Sequence, residues 1–324
     1  MLSRVADSLY WMSRYLERAE HTARLTDTHL NLMLDQSPES AERRWSRVLS
    51  SLGNPVPDKA GKDAYALAQL LTFDMDNESS VVSCIMSARE NARQVREQTS
   101  SEMWEQLNRL FLEVKRADID NLWDAEPLDF LRAVKEGVYL FQGITDSAMS
   151  HGEGWQFIQF GRYIERACNT AALLDVHFQQ LQSAGSEENE DNDDGSDHTE
   201  WIGLLRSCTA FEAYCKVYTA DLRPERICEF LLLNPEFPHS VRFAVDQLRT
   251  ALEGIQEATQ SRRADRVSRL AGRLRASLGY GQIDEIMTSG LHAYLENIQR
   301  QCAQINQSAY LLYVTYPIEA ALEA

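Results

Sequence analysis

The sequence predicts an all-α protein: a duplicated antiparallel helical bundle organised around two pseudo-symmetric long helices. Two observations lead there. Alternating Val/Ile/Thr runs bounded by turns are nearly absent, whereas periodic stretches of Leu, Ala, Arg and Glu fill the chain. In addition, RYLERAEHTARLTD at 14–27 returns as RYIERACNTAALLD at 162–175.

Taken in order, the apolar periodicity predicts long helices over 2–35, 78–99, 101–116, 127–149, 154–183, 199–220, 239–260, 262–278 and 289–315. Shorter ones near 42–52, 62–72 and 224–233 fill the gaps. Several ends have a chemical reason. Ser100 and Ser101 ahead of Glu102 supply an N-cap, Ser240 does the same after the Pro-framed turn NPEFPHSV, and Pro224 sits where a first helical turn has no N–H to lose. Pro55 and Pro57 mark a loop. The stretch SAGSEENEDNDDGSDHT at 183–199 has no apolar residue larger than Ala and reads as a disordered acidic linker inserted in one helical domain spanning 1–324.

The repeat has a constant spacing of 148 residues, which relates Tyr15 to Tyr163, Glu17 to Glu165, Arg18 to Arg166, Ala19 to Ala167, Thr22 to Thr170, Leu25 to Leu173 and Asp27 to Asp175. Both copies carry an apolar seam, Leu9–Met12–Leu16–Ala19–Ala23 in the first and Phe157–Phe160–Ile164–Ala167–Ala171 in the second. The alanines predict close approach of the two helices. Arg14, Arg18 and His21 follow in steps of four and three on the side away from the seam, so this outward polar face is expected to be covered by other helices, a partner or a ligand.

Two readings of that face are open. In one, Glu17 and Glu165 form buried ion pairs with arginines of neighbouring helices, since the planar guanidinium suits bidentate pairing. In the other, Arg14, Arg18, Arg162 and Arg166, with Tyr15 and Tyr163, make an anion or carboxylate site in which Glu17 and Glu165 are candidate catalytic groups. Arg89 and Arg93, on the stripe of SARENARQVREQ, are further candidates for anion binding or for pairing with those glutamates. His151 and Glu153 in SHGEG stand at the start of the second ER helix, where free N–H groups favour an anion and either side chain serves as a candidate general acid or base.

Other chemistries find little support. The net charge of −17 disfavours nucleic acid or an anionic membrane as main partner. The six cysteines are scattered without a C-x-x-C pair, no apolar run approaches the ~18 residues of a membrane span, and MLSRVADSLYW lacks the apolar core of a signal peptide, which together predict a cytoplasmic protein. Glu17 and His21 are four apart and their counterparts are Glu165 and Asn169, so the Glu-x-x-His pattern of di-metal bundles fails and no metal is expected. No phosphate-binding loop occurs, and no cofactor is expected.

The two ER helices, with ARENARQVRE, SEMWEQLN, SHGEGWQFIQFGRYIERA, FEAYCKVYTADLRPER and NPEFPHSV in the same order, resemble the bacterial Alpha-E family. The resemblance covers almost the whole chain. It implies association with circularly permuted ATP-grasp proteins and transglutaminase-like proteins, and so a role as helper or subunit in ATP-dependent amide-bond formation. The competing expectation is an independent enzyme acting on a peptide, amide or ester through a Glu/Arg/His pocket.

Overall fold

A computed structural model describes residues 1–33, 38–54, 64–117, 127–184, 194–219, 221–260 and 265–315. Fourteen α-helices account for most of them, and no strand occurs among the described residues. In chain order they are α1 (Ser3–Met33), α2 (Pro38–Ser51), α3 (Ala64–Thr72), α4 (Val81–Gln94), α5 (Ser101–Arg116), α6 (Pro127–Ala148), α7 (Glu153–Ala184), α8 (Asp194–Ser207), α9 (Phe211–Tyr218), α10 (Pro224–Leu233), α11 (Val241–Thr259), α12 (Asp265–Tyr280), α13 (Ile283–Ser289) and α14 (Leu291–Tyr313).

The ER helices α1 and α7 form the centre, and they run parallel. The N-terminal ammonium of Met1 meets Glu153, the ring of Tyr10 stacks on Phe160 at 4.9 Å, Arg14 meets Glu165, and His29 and His177 line one small recess further along. Their other neighbours are antiparallel. Gln142, Tyr139 and Lys135 of α6 meet Glu17, Glu20 and Asp27 of α1 in opposite chain order, and α14 sets Tyr313 against Phe157 but His292 against Asp175 on α7.

Equivalent contacts recur around the central pair. Thr22 of α1 donates to the Ser79 carbonyl at 3.1 Å and Thr170 of α7 to the His239 carbonyl at 3.2 Å. The next residues, Ser80 and Ser240, cap α4 and α11 by accepting from the N–H groups of Ser83 and Phe243. On α6 the buried stripe is Leu131, Val134, Val138 and Phe141; on α14 it is Leu295, Ile298, Cys302 and Ile305. Each such large side chain contributes about 1.5–3 kcal/mol on burial, and these stripes join one continuous core.

The small residue at the crossing of α1 and α7 is Gly161. A Cβ there would lie 2.2 Å from Ser13 Oγ and 2.4 Å from the Tyr10 carbonyl oxygen, so glycine is what lets the two backbones approach.

Four expectations change, the first being the helix over 78–99, which ends at Gln94 and is followed by a short 3-10 turn at Arg96–Gln98. The helix expected over 199–220 is broken: α8 ends at Ser207, and α9 starts at Phe211. Between them Thr209 adopts φ +50°, and the Ala210 N–H returns to the Leu205 carbonyl at 2.7 Å, a left-handed helix stop. The same turn follows α2, where Gly53 has φ +70° and the Asn54 N–H reaches the Leu49 carbonyl. The helix expected over 289–315 starts at Leu291, because Gly290 at φ +107° separates α13 from α14. Of the acidic stretch expected to be disordered, 185–193 lie outside the described residues, as do Pro55 and Pro57; from Asp194 onward it is helix, anchored by buried Trp201, Leu204 and Leu205.

Candidate functional site

Because α1 and α7 are parallel and offset by the repeat, each copy of the ER motif lies beside the other. The polar residues therefore face across the helix pair rather than outward from it, the direction expected from the helical wheel, and each ER helix covers the other's polar face with help from α6 and α14. Arg166 donates through Nε and Nη2 to the two carboxylate oxygens of Glu17, at 2.5 and 2.9 Å. Reciprocally, Glu165 accepts from Arg14 Nε at 2.6 Å and Arg18 Nε at 2.7 Å. Arg162, the counterpart of Arg14, stays 4.0 Å from Glu17. Its side chain lines a recess of only about 10 Å³ with Gln142 and Gln159, room for about one water and no substrate.

Glu17 and Glu165 are buried. Burial by itself raises the Glu165 carboxyl, but Arg14 and Arg18 outweigh it and hold the group below the ordinary carboxylate range. A carboxylate so paired is a poor proton acceptor. The tyrosines of the motif serve as platforms: Arg18 lies over Tyr15 at 5.8 Å, while Arg162 and Arg166 lie over Tyr163 at 5.3 and 5.4 Å. Tyr10 joins the network by accepting from Arg14 at 3.1 Å and donating to Asn306.

One helical turn further along α1, Glu20 accepts twice from Arg24, at 2.8 and 3.1 Å, and once from the Tyr139 hydroxyl at 2.7 Å. Burial raises the Glu20 carboxyl, yet Arg24 and Tyr139 bring it down to about 2. His21 touches the same guanidinium through Nδ1 at 3.3 Å; burial and the Arg24 charge push it down to about 3, so it is neutral. His239 is driven well below its usual value by burial and by Arg166 and Arg24.

The remaining candidates are not brought to this centre. Arg93 pairs with Glu90 on the open surface at 2.6 Å. Arg89 donates to Asn108 at 2.7 Å and lies 4.4 Å from the Phe111 ring centroid, so it is taken up by α5. The expected pairing of these arginines with Glu17 or Glu165 does not occur, because α4 turns its buried stripe of Cys84, Ala88 and Ala92 inward and the arginines fall on other faces. His151 is exposed, stacked on Trp155 at 4.2 Å and within 3.0 Å of the Asp146 carbonyl oxygen. Glu153 holds the N-terminal ammonium at 2.9 Å, and its Cα lies about 18 Å along the helix from that of Glu165. Neither reaches the ER pair. Among the described residues no group of three or more His, Cys, Asp or Glu is arranged to hold a metal.

A polar cleft of about 680 Å³ between α1, α6, α8 and α9 has no motif signature in the sequence. Arg24 of α1 and Tyr139 of α6 line it together with Arg206, Thr209 and Glu212. These residues are dispersed along the chain without a motif. The one signal available was a lone threonine between two helical segments where a helix stop belongs.

Comparison with known proteins gives relatives without an assigned role. The chain is 25% identical over 317 residues to the uncharacterised protein Mb2597 of Mycobacterium bovis, covering 91% of this chain and 34% of the relative. The uncharacterised protein Rv2567 of Mycobacterium tuberculosis matches at the same identity and coverage. The chain thus spans about a third of the length of these relatives. No solved structure matches it. No helix among the described residues is long and apolar enough to cross a membrane. Residues 1–313 match the family model Alpha-E, described as "a predicted alpha-helical domain with a conserved ER motif". With that match over nearly its whole length and the ER motifs paired at its centre, the chain belongs to the Alpha-E family.

Proposed function

We propose that the protein is a helical accessory subunit in an ATP-grasp-dependent system that forms or modifies amide bonds, partnered by a circularly permuted ATP-grasp protein and a transglutaminase-like protein. The observation that supports a carboxylate-binding role is the imbalance of the ER network: four guanidinium groups share two carboxylates. Arg14 and Arg18 keep 15 and 20% exposure, so positive charge of the network reaches the surface and favours an acidic group of a partner or product. The glutamates are spent on arginines, which weighs against the independent-enzyme reading. That the relatives carry this domain as a third of a longer chain fits a module working beside others. The test is copurification with the ATP-grasp protein, followed by ATP-dependent ligation with and without this chain. Binding with faster or altered ligation is expected; a ligase that neither binds it nor responds to it overturns the proposal.

A further inference from the structure

Several residues of the polar cleft on α1, α6 and α8 have counterparts around α7, and comparing them separates what the scaffold needs from what it does not. Where α1 has Glu20 and Arg24, α7 has Cys168 and Ala172; where α6 has Tyr139, α14 has Ala303. The helix stop beside the cleft is Thr209 at φ +50°, while its counterpart is Gly53. At the first three of these positions one side thus carries small uncharged residues. On the other, a buried ion pair and a β-branched residue in the left-handed region are retained, both costly to the fold. Arg24 and Thr209 both line the cleft.

Its chemistry is two-signed. Among the described residues no carboxylate pairs with Arg206, which rests over the Phe211 ring at 5.6 Å, and no cation pairs with Glu136 or Glu212. By contrast Arg24, Lys135 and Arg132 are committed to Glu20, Asp27 and Asp129. One free cation and two free acids on the walls of one cleft suit a ligand with charges of both signs, and about 680 Å³ suits one of a few residues. We infer that this cleft binds short zwitterionic peptides, with the free carboxylate on Arg206 and the free ammonium on Glu136 and Glu212.

The inference is independent of the ATP-grasp partner, and its test uses the full chain alone. Calorimetric titration with unblocked trialanine is compared with N-acetyl-trialanine and with trialanine amide. Saturable 1:1 binding of the unblocked peptide is expected, weakened about tenfold or more by either block. Arg206→Ala should weaken trialanine by a similar factor and have little effect on the amide, whereas Glu212→Gln should do so for trialanine and spare the acetylated peptide. Absence of saturable binding, or equal binding of blocked and unblocked peptides, overturns the site. So does binding unchanged in both variants, with circular dichroism confirming that each is folded.

Discussion

Arg166 of α7 grips Glu17 of α1 through two parallel hydrogen bonds, with both side chains almost wholly buried. Removing one partner leaves an uncompensated charge in the core. Glu17→Gln should cost about 3–5 kcal/mol, read from chemical denaturation, whereas Glu17→Gln combined with Arg166→Met should recover much of the loss. Arg93→Ala, which breaks an exposed pair, should leave the melting temperature unchanged. An unaffected single Glu17 variant would show that the pair does not hold the helices together.

Gly161→Ala tests the approach of the ER helices. The new methyl meets both Ser13 Oγ and the Tyr10 backbone carbonyl, so trimming Ser13 cannot fully relieve it. A loss of about 3 kcal/mol is expected, and Ser13→Ala in the same chain should restore only part of it. Full tolerance would mean that the two helices separate at little cost.

Acid should destabilise the protein in two stages. Burial holds His21 at about 3 and His29 at about 4 in the fold, against 6.5 when unfolded. Between those values the unfolded chain binds more protons than the native one, so stability falls as pH drops below about 6.5. Glu20 and Glu165, both held below their usual value of 4.5 by arginines that outweigh burial, add a second loss below about pH 4.5. Urea midpoints across this range should be flat above about pH 7 and decline below it, with a shallower first stage in His21→Gln. A flat profile down to pH 4.5 would contradict neutral buried histidines.

Thr209→Gly relieves a β-branched residue at φ +50° and makes the turn like that at Gly53. A gain of about 1 kcal/mol in thermal denaturation is expected. The reverse change, Gly53→Thr, should destabilise, and opposite signs at the two turns are the diagnostic outcome.

Composition and periodicity determined the all-helical class, the spacing of the two ER helices, the caps at Ser100 and Ser240 and the first-turn place of Pro224, because each of these is encoded within one or two turns of chain. Helical periodicity also says which side chains share a face. It does not say what that face meets. Only the tertiary structure set α1 and α7 parallel, which turned Arg14, Glu17, Arg18 and their counterparts toward one another and left His151, Glu153, Arg89 and Arg93 elsewhere. It also brought Arg24, Tyr139 and Arg206 from three distant helices to one cleft, a juxtaposition fixed by long-range packing and carried by no local pattern.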